Sequence, residues 1–414
     1  MNYKIKIIKD GGIYTITNLL NSLIPFLLLP AYTRTLEVES IGILSILENI
    51  IYFLVPLIMF GISGVLSVDY FRKNKIFSYL FSSAIIIPIF FSGILLIVIF
   101  LYSIFFKYTN FIEIKYLYAL LCIGLMQVFT LLRLMLFQVK REPYKYLMLQ
   151  GWIILSSVLL TLYFVFEREI GWNGRLNALF ICYLISGIYS FISFIKDGYF
   201  EFNKIIFKKI VYVFYLGRPL VPHAIAMLVI VYFDRFLIAY YFGTEAVGQY
   251  AVAHQLGMGI SLLQNSFTQV WGPFLFQRLK QKNNDNEIRR LAYTFVILLF
   301  IAVLVLVTTL YFSYEFIFGT KVRLDINVLI MVSTAFFFTG IYKLFVGFIF
   351  YSKENGRLSK IAFIITTINV LMNLLLIPRY GIQGAAFSMM ISMMILAILT
   401  YRASQQAHPF KWTK

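Results

Sequence analysis

Four basic side chains stand where lipid-like sequence should exclude them: Arg133, Arg218, Arg235 and Lys343. Each lies in or just inside a long apolar stretch, where an unpaired charge costs ~2.5–3.5 kcal/mol on insertion scales. Guanidinium and ammonium groups are natural partners of phosphate, so the four together point to a cavity that accepts an anion. Plainer accounts stay open beside it. Snorkelling to a headgroup serves Arg133 and Arg218 equally well, and Arg235 can pair with its neighbour Asp234 or reach the external interface. Lys343 follows Thr339 by one helical turn and is harder to explain away.

Acidic candidates are fewer, Glu48 and Asp234 being the chief ones. Asp234 grouped with the amides Asn369 and Asn373 makes a proton or sodium site, whereas a structural ion pair and helix-packing hydrogen bonds are the bland alternatives. Neutral polar residues recur at helical spacing. Asn18 and Asn21 share a face with Tyr14, Thr17 and Pro25; Glu48 shares one with Ser45, Asn49, Tyr52 and Pro56. His254 falls in line with Gly257, Ser261, Asn265 and Thr268. A histidine in such a place is more often a satisfied polar residue than a proton carrier. Cys122 and Cys182 both sit in apolar stretches without metal-ligand spacing, so neither a metal site nor a disulfide framework is expected.

The elements that must position these residues are membrane helices. The chain is 61% hydrophobic and 13% charged, which fits no ordinary soluble domain. Spans are expected near Gly12–Leu29, Ile41–Gly61, Tyr79–Phe105, Tyr116–Val139, Tyr146–Phe166 and Ala178–Phe194. Six more follow near Leu220–Tyr241, Ala246–Trp271, Ile288–Tyr311, Ile326–Tyr351, Leu358–Pro378 and Ile382–Tyr401. The fold class expected is therefore an all-α integral membrane protein with twelve transmembrane helices. The first span has the charged flank of a signal peptide, but its apolar region is too long and no small-residue cleavage site follows, so it is expected to remain.

Organisation follows from a link and a repeat. The stretch 196–215 interleaves Lys196, Lys204, Lys208 and Lys209 with Phe200, Phe202, Ile205, Ile206 and Phe207, and reads as an interfacial amphipathic helix. It divides an N-terminal lobe, 1–195, from a C-terminal lobe, 216–414, six spans in each. Gly11–Gly42 overlays Gly217–Gly248 without a gap, Glu39-Ser-Ile-Gly42 falling on Glu245-Ala-Val-Gly248. Two duplicated halves around a central cavity are a common transporter plan.

Net charge +18 comes from short basic runs between spans, which read as topology signals and lipid-headgroup contacts rather than a nucleic-acid surface. The termini and even-numbered connections hold the runs, such as Lys4, Lys6 and Lys9; Arg72, Lys73 and Lys75; and Arg278, Lys280, Lys282, Arg289 and Arg290. Odd-numbered connections hold only Arg34, Lys107, Lys115, Arg168, Arg175, Lys321, Arg323 and Arg379. Both termini and the link are thereby expected in the cytoplasm. Reporters fused after Lys414 and within Thr320–Asn327 are expected on opposite sides of the membrane; the same side for both rules out twelve spans.

Several stretches carry a family resemblance: PFLLLPAYTRTLEVESIGILS at Pro25–Ser45, LVPHAIAMLVIVYFDRFLIAYYFGTEAVGQYAVAHQL at Leu220–Leu256, FTQVWGPFLF at Phe267–Phe276 and NLLLIPRYGIQGAAFSMMIS at Asn373–Ser392. The chain resembles the polysaccharide flippases, O-antigen flippases among them, of the multidrug/oligosaccharidyl-lipid/polysaccharide (MOP) exporter superfamily. A departure lies at Thr35–Gly42, where the family often has an aromatic before the glycine. The resemblance implies a transporter, not an enzyme, moving an undecaprenyl-pyrophosphate-linked oligosaccharide across the bacterial inner membrane by alternating access. Membrane lipids and the polysaccharide polymerase machinery of lipopolysaccharide synthesis are the implied partners, with no nucleic acid and no cofactor beyond coupling H+ or Na+.

On that reading Arg133, Arg218, Arg235, Lys343, Asn18, Asn21, Glu48, His254 and Asn265 contact pyrophosphate or sugar. Asp234, Asn369 and Asn373 serve ion coupling. No G-x-x-x-x-G-K-[ST] motif occurs, so ATP hydrolysis by the chain itself is not expected. Two rivals remain. A multidrug or organic-cation antiporter of the same superfamily wants acids in its cavity, and a membrane glycan polymerase or ligase wants a substantial external loop.

Overall fold

The computed structural model describes residues 3–72, 76–106, 113–280, 285–352 and 354–412. Lys73, Lys75, Lys107 and Lys282, counted above as topology signals, lie outside them, as does Lys414. In a bilayer every backbone N–H and C=O must be satisfied within its own segment, so long apolar runs close into helices. Accordingly α1 (Tyr3–Thr35), α2 (Val38–Met59), α3 (Ile62–Arg72), α4 (Phe77–Phe105), α5 (Lys115–Val139), α6 (Pro143–Leu162) and α7 (Trp172–Lys196) follow one another. Then come α8 (Phe207–Gly217), α9 (Leu220–Tyr232), α10 (Asp234–Met258), α11 (Ile260–Lys280), α12 (Asp285–Phe318), α13 (Ile326–Tyr351) and α14 (Asn355–Ala407).

Ten stretches of the described residues are long and apolar enough to cross a membrane. Two of them, Ala224–Lys280 and Gly356–Ala407, are broken by glycines at positive φ, Gly243 at 81° and Gly381 at 57°. Only glycine takes that backbone cheaply, and each break separates two limbs of spanning length. The fold is an all-α membrane protein of twelve spans. Large apolar side chains such as Phe105, Phe312 and Phe316 are exposed, as expected where lipid tails replace water. The expected gap after Leu29 is filled: α1 runs through Pro25 and Pro30 to Thr35, because a membrane helix tolerates proline when neighbours supply the freed carbonyl with a donor.

The chain forms two compact units. The first comprises Met1–Ile24 and Ile43–Ile225, the second Pro25–Gly42 and Ala226–Lys414. Phe81, Phe194, Leu132 and Leu136 are fully buried in the core of the first. The link belongs to this unit because α4 holds it. Ser82 Oγ donates to the Tyr199 carbonyl at 2.8 Å and accepts from Glu201 N–H at 3.1 Å, and Ser83 Oγ accepts from Ile206 N–H at 3.0 Å. Phe214 of α8 then stacks on Phe60, and Gly217 admits the Phe60 carbonyl at a distance no Cβ permits.

In the second unit Trp271, Tyr250 and Phe348 are the large buried side chains. The segment Pro25–Gly42 is bound into it by long-range caps. Gln255 donates its amide to the Pro25 carbonyl. Arg34 donates to the Phe316 and Ile317 carbonyls at the end of α12, at 2.5 and 3.0 Å, while Lys321 caps the Thr35 carbonyl of α1 at 3.1 Å. Cations on exposed carbonyls at helix C-termini are favourable by charge and by hydrogen bonding. The repeat noted in the sequence meets itself here. A Cβ on Gly42 would fall 1.8 Å from the Thr244 carbonyl oxygen, and one on Gly248 would fall 2.0 Å from that of Val38. Val38 and Gly42 overlay Thr244 and Gly248 in the repeat, so the contact is reciprocal.

Candidate functional site

A cavity of about 520 Å³ opens within the first unit. Asn18 and Asn21, one turn apart on α1, supply one wall. Gln127, Thr130, Leu134 and Gln138 line up along α5 at helical spacing, and Tyr146, Gln150 and Ile153 do so along α6. Ser63, Gly64 and Ser67 reach it from α3 because the chain bends between α2 and α3, with Phe60 at φ 48° and Gly61 at φ 70°. Tyr183 of α7 completes the lining.

The walls are tied to one another. Tyr146 donates its hydroxyl to Asn18 Oδ1 at 2.8 Å, and Gln150 Nε2 donates to Asn21 Oδ1 at 3.0 Å. Tyr14 meets Tyr146 edge-on, with ring centroids 5.0 Å apart, and gives its hydroxyl to the Phe137 carbonyl. Both asparagines thus accept with their oxygens and keep their Nδ2 hydrogens for other partners. No Asp, Glu, Lys, Arg or His is among the described residues that line the cavity.

The charges lie elsewhere, mostly in pairs. Buried Arg133 donates to Asp197 Oδ2 at 2.7 Å, just past the end of α7, and packs over the Phe137 ring at 4.5 Å. Half-buried Glu48 accepts from Arg175 Nε at 3.3 Å, and Arg175 also donates to Thr161 at 3.0 Å. Arg218 is exposed, 4.4 Å from the Tyr215 ring centroid.

In the second unit Asp234 and Arg235 are 1% and 3% exposed. Arg235 Nη1 donates to Asp234 Oδ1 at 2.8 Å and to the Val231 carbonyl at 2.7 Å. Val231 is four residues before Arg235, so the guanidinium takes the carbonyl that the helix ladder would use, and α9 ends at Tyr232 where α10 begins at Asp234. Tyr250 gives its hydroxyl to Asp234 Oδ2, and the Tyr232 and Tyr250 rings flank the guanidinium at 5.2 Å each. His254, buried one turn beyond Tyr250, packs against Tyr250 and Phe336 and leaves Nε2 without a hydrogen-bond partner.

Asn369 and Asn373 are buried together on α14. Asn373 Nδ2 donates to Asn369 Oδ1 at 3.0 Å, and Asn369 Nδ2 donates to Ser392 at 3.1 Å. Among the described residues the Asn373 Oδ1 acceptor has no hydrogen-bond partner. Lys343 donates to Asn265 Oδ1 at 2.8 Å, which brings two of the expected site residues into direct contact. Of the four intramembrane cations singled out in the sequence, Arg133 and Arg235 carry their own carboxylates. Arg218 and Lys343 pair with none among the described residues.

Residues 7–278 match the family described as "Polysaccharide biosynthesis protein". The chain belongs to the polysaccharide biosynthesis protein family. Within curated relatives it is 24% identical to "Lsg locus putative protein 1" of Haemophilus influenzae, over 97% of this chain and 98% of that protein. Its fold is similar to those of two solved membrane transporters. A lipid II flippase MurJ in an inward closed conformation aligns at TM-score 0.72 and 15% identity, covering 97% of this chain and 86% of the other. A multidrug-resistance MATE transporter of the MOP superfamily, inward-facing, aligns at 0.70 and 14%, covering 94% of each. The resemblance to polysaccharide flippases carried by Pro25–Ser45 and Leu220–Leu256 is borne out by this family match and this fold.

Sequence reasoning placed Asn18 and Asn21 on the face that lines the cavity. It did not single out Gln127, Gln138, Tyr146, Gln150 or Tyr183. The spacing of Gln127, Thr130, Leu134 and Gln138 was the available signal, since three polar side chains on one face of an apolar span need partners or a polar space.

Proposed function

We propose that the protein is a flippase that carries an undecaprenyl-pyrophosphate-linked oligosaccharide, an O-antigen or other surface-polysaccharide repeat unit, across the bacterial inner membrane. The observation that carries this reading is the amide- and hydroxyl-lined cavity in a chain of the polysaccharide biosynthesis family. Hydroxyl-rich substrates exchange water for such groups at little net cost, because donors and acceptors on both sides are matched. An organic cation wants carboxylates there, and the described lining has none. Transport proceeds by alternating access, with both termini cytoplasmic, and hands the repeat unit to the polymerase machinery on the far side. Energy enters from a proton or sodium gradient at Asp234, with Asn369 and Asn373 as auxiliary ligands. Within the second unit Lys343, steadied by Asn265, is a pyrophosphate contact.

The test is a sidedness assay in proteoliposomes with a defined lipid-linked oligosaccharide. Saturable translocation that rises with an imposed ion gradient is the expected result. Lys343→Ala is expected to cut the rate at least about tenfold, the loss of one charge-assisted contact to phosphate, with Lys343→Arg milder. Full transport by Lys343→Ala removes that residue from the substrate path. Failure to move the saccharide, together with protection of cells against cationic drugs, overturns the flippase reading.

A further inference from the structure

The cavity of the first unit differs from the charged clusters around it in a way that bears on what part of a substrate it takes. Its volume of about 520 Å³ sits within the ~300–1,000 Å³ typical of ligand pockets, and its described lining mixes amides and hydroxyls with Met59, Leu131 and Met135 and carries no formal charge. An ionised group entering such a space surrenders hydration and meets no counter-ion, a penalty that hydrogen bonds to neutral amides repay only in part. Hydroxyl and acetamido groups face no such penalty. Carboxamides present paired donors and acceptors to them, and here the pairing is already set. Asn18 and Asn21 accept from Tyr146 and Gln150, which turns their Nδ2 donors free and leaves Gln150 Oε1 as an acceptor. Gln127 stands on the same lining, its Oε1 buried and without a hydrogen-bond partner among the described residues. These hydrogen bonds fix Asn18, Asn21 and Gln150 before any ligand arrives, so little ordering of them remains to oppose binding.

We infer that this cavity is a subsite for an uncharged sugar ring, a neutral hexose or N-acetylhexosamine, that excludes hexuronates and the pyrophosphate alike. The inference rests on the flippase reading and adds to it the chemical class of sugar that the site selects. Selection falls on the glycan by what the cavity lacks. A uronate pays the desolvation of its carboxylate, whereas a neutral ring of the same size satisfies Gln150 Oε1 and the free Nδ2 groups.

Binding to the full-length protein in nanodiscs decides the matter. The probes are decaprenyl pyrophosphate alone, the same carrier bearing N-acetylglucosaminyl-galactose, and the same carrier bearing N-acetylglucosaminyl-glucuronate. The neutral disaccharide is expected to bind at least about tenfold tighter than the uronate, the discrimination of a site built to hydrogen-bond hydroxyl groups. Asn18→Ala and Gln150→Ala are expected to draw the neutral probe toward the affinity of the bare carrier. Gln138→Lys, at an exposed position on the lining, is expected to raise uronate affinity and narrow the gap. Equal affinity of the wild-type protein for both disaccharides, with the bare carrier still bound, overturns the neutral subsite and leaves the flippase reading intact. Failure of all three carrier probes to bind overturns the flippase reading and this inference with it.

Discussion

Arg235→Ala is expected to destabilise the protein by about 3–5 kcal/mol, the cost of leaving a buried charge without its partner. Asp234 is almost fully buried, and its two oxygens are committed to Arg235 and Tyr250. Removing the guanidinium strips one oxygen of its partner and also vacates the Val231 carbonyl. The double variant Asp234→Asn/Arg235→Met is expected to recover much of the loss, since both buried charges leave together and Met fills the space of the guanidinium side chain. Cys182 is buried and Cys122 only partly so, both free thiols, so on a Cys122→Ser background a thiol-reactive fluorophore reports unfolding. Equal stability of Arg235→Ala and wild type overturns the pair as a structural element. Asp234→Asn alone keeps size and the Tyr250 contact, and separates anchoring from coupling. Normal folding with transport that no longer responds to the gradient assigns Asp234 to coupling, whereas unchanged gradient dependence assigns it to the anchor.

That pair was legible because its partners are adjacent in sequence. Arg133 was not, because its carboxylate, Asp197, lies beyond the end of another helix and becomes a neighbour only when α5 packs on α7. Glu48 and Arg175 show the same limit: one read as a mid-span acid and the other as a loop cation, yet they are joined at 3.3 Å. The spans themselves were readable, since apolar length and the glycine breaks are local properties. The break expected between the spans Leu220–Tyr241 and Ala246–Trp271 occurs, at Gly243. What no local pattern supplies is convergence. A lone Gln127 or Gln150 in an apolar helix reads as a packing hydrogen bond, and only the arrangement of α1, α5 and α6 gathers them around one space. Membership of Pro25–Gly42 in the second unit was equally hidden, because Arg34, Lys321 and Gln255 act on carbonyls far away in sequence.

Gly42→Ala and Gly248→Ala are each expected to abolish transport and to cost about 1–3 kcal/mol, the usual penalty of forcing a methyl into a filled contact. The atoms in the way are the backbone oxygens of Thr244 and Val38, at 1.8 and 2.0 Å from the new Cβ. A flexible side chain would swing aside; a carbonyl held in a helix cannot, so α2 and α10 must part. Gly93→Ala is the control. A Cβ there meets nothing within 4 Å, and the substitution is expected to stabilise α4 by roughly 0.5–1 kcal/mol through chain entropy. Because Gly42 and Gly248 relieve the same crossing from opposite sides, the double alanine variant is expected to cost less than the sum of the two. Additive losses would mean two independent contacts. Subadditive losses mark one crossing that the internal repeat builds twice, each copy setting its glycine against the other's carbonyl so that two helices of equivalent origin approach more closely than any side chain allows.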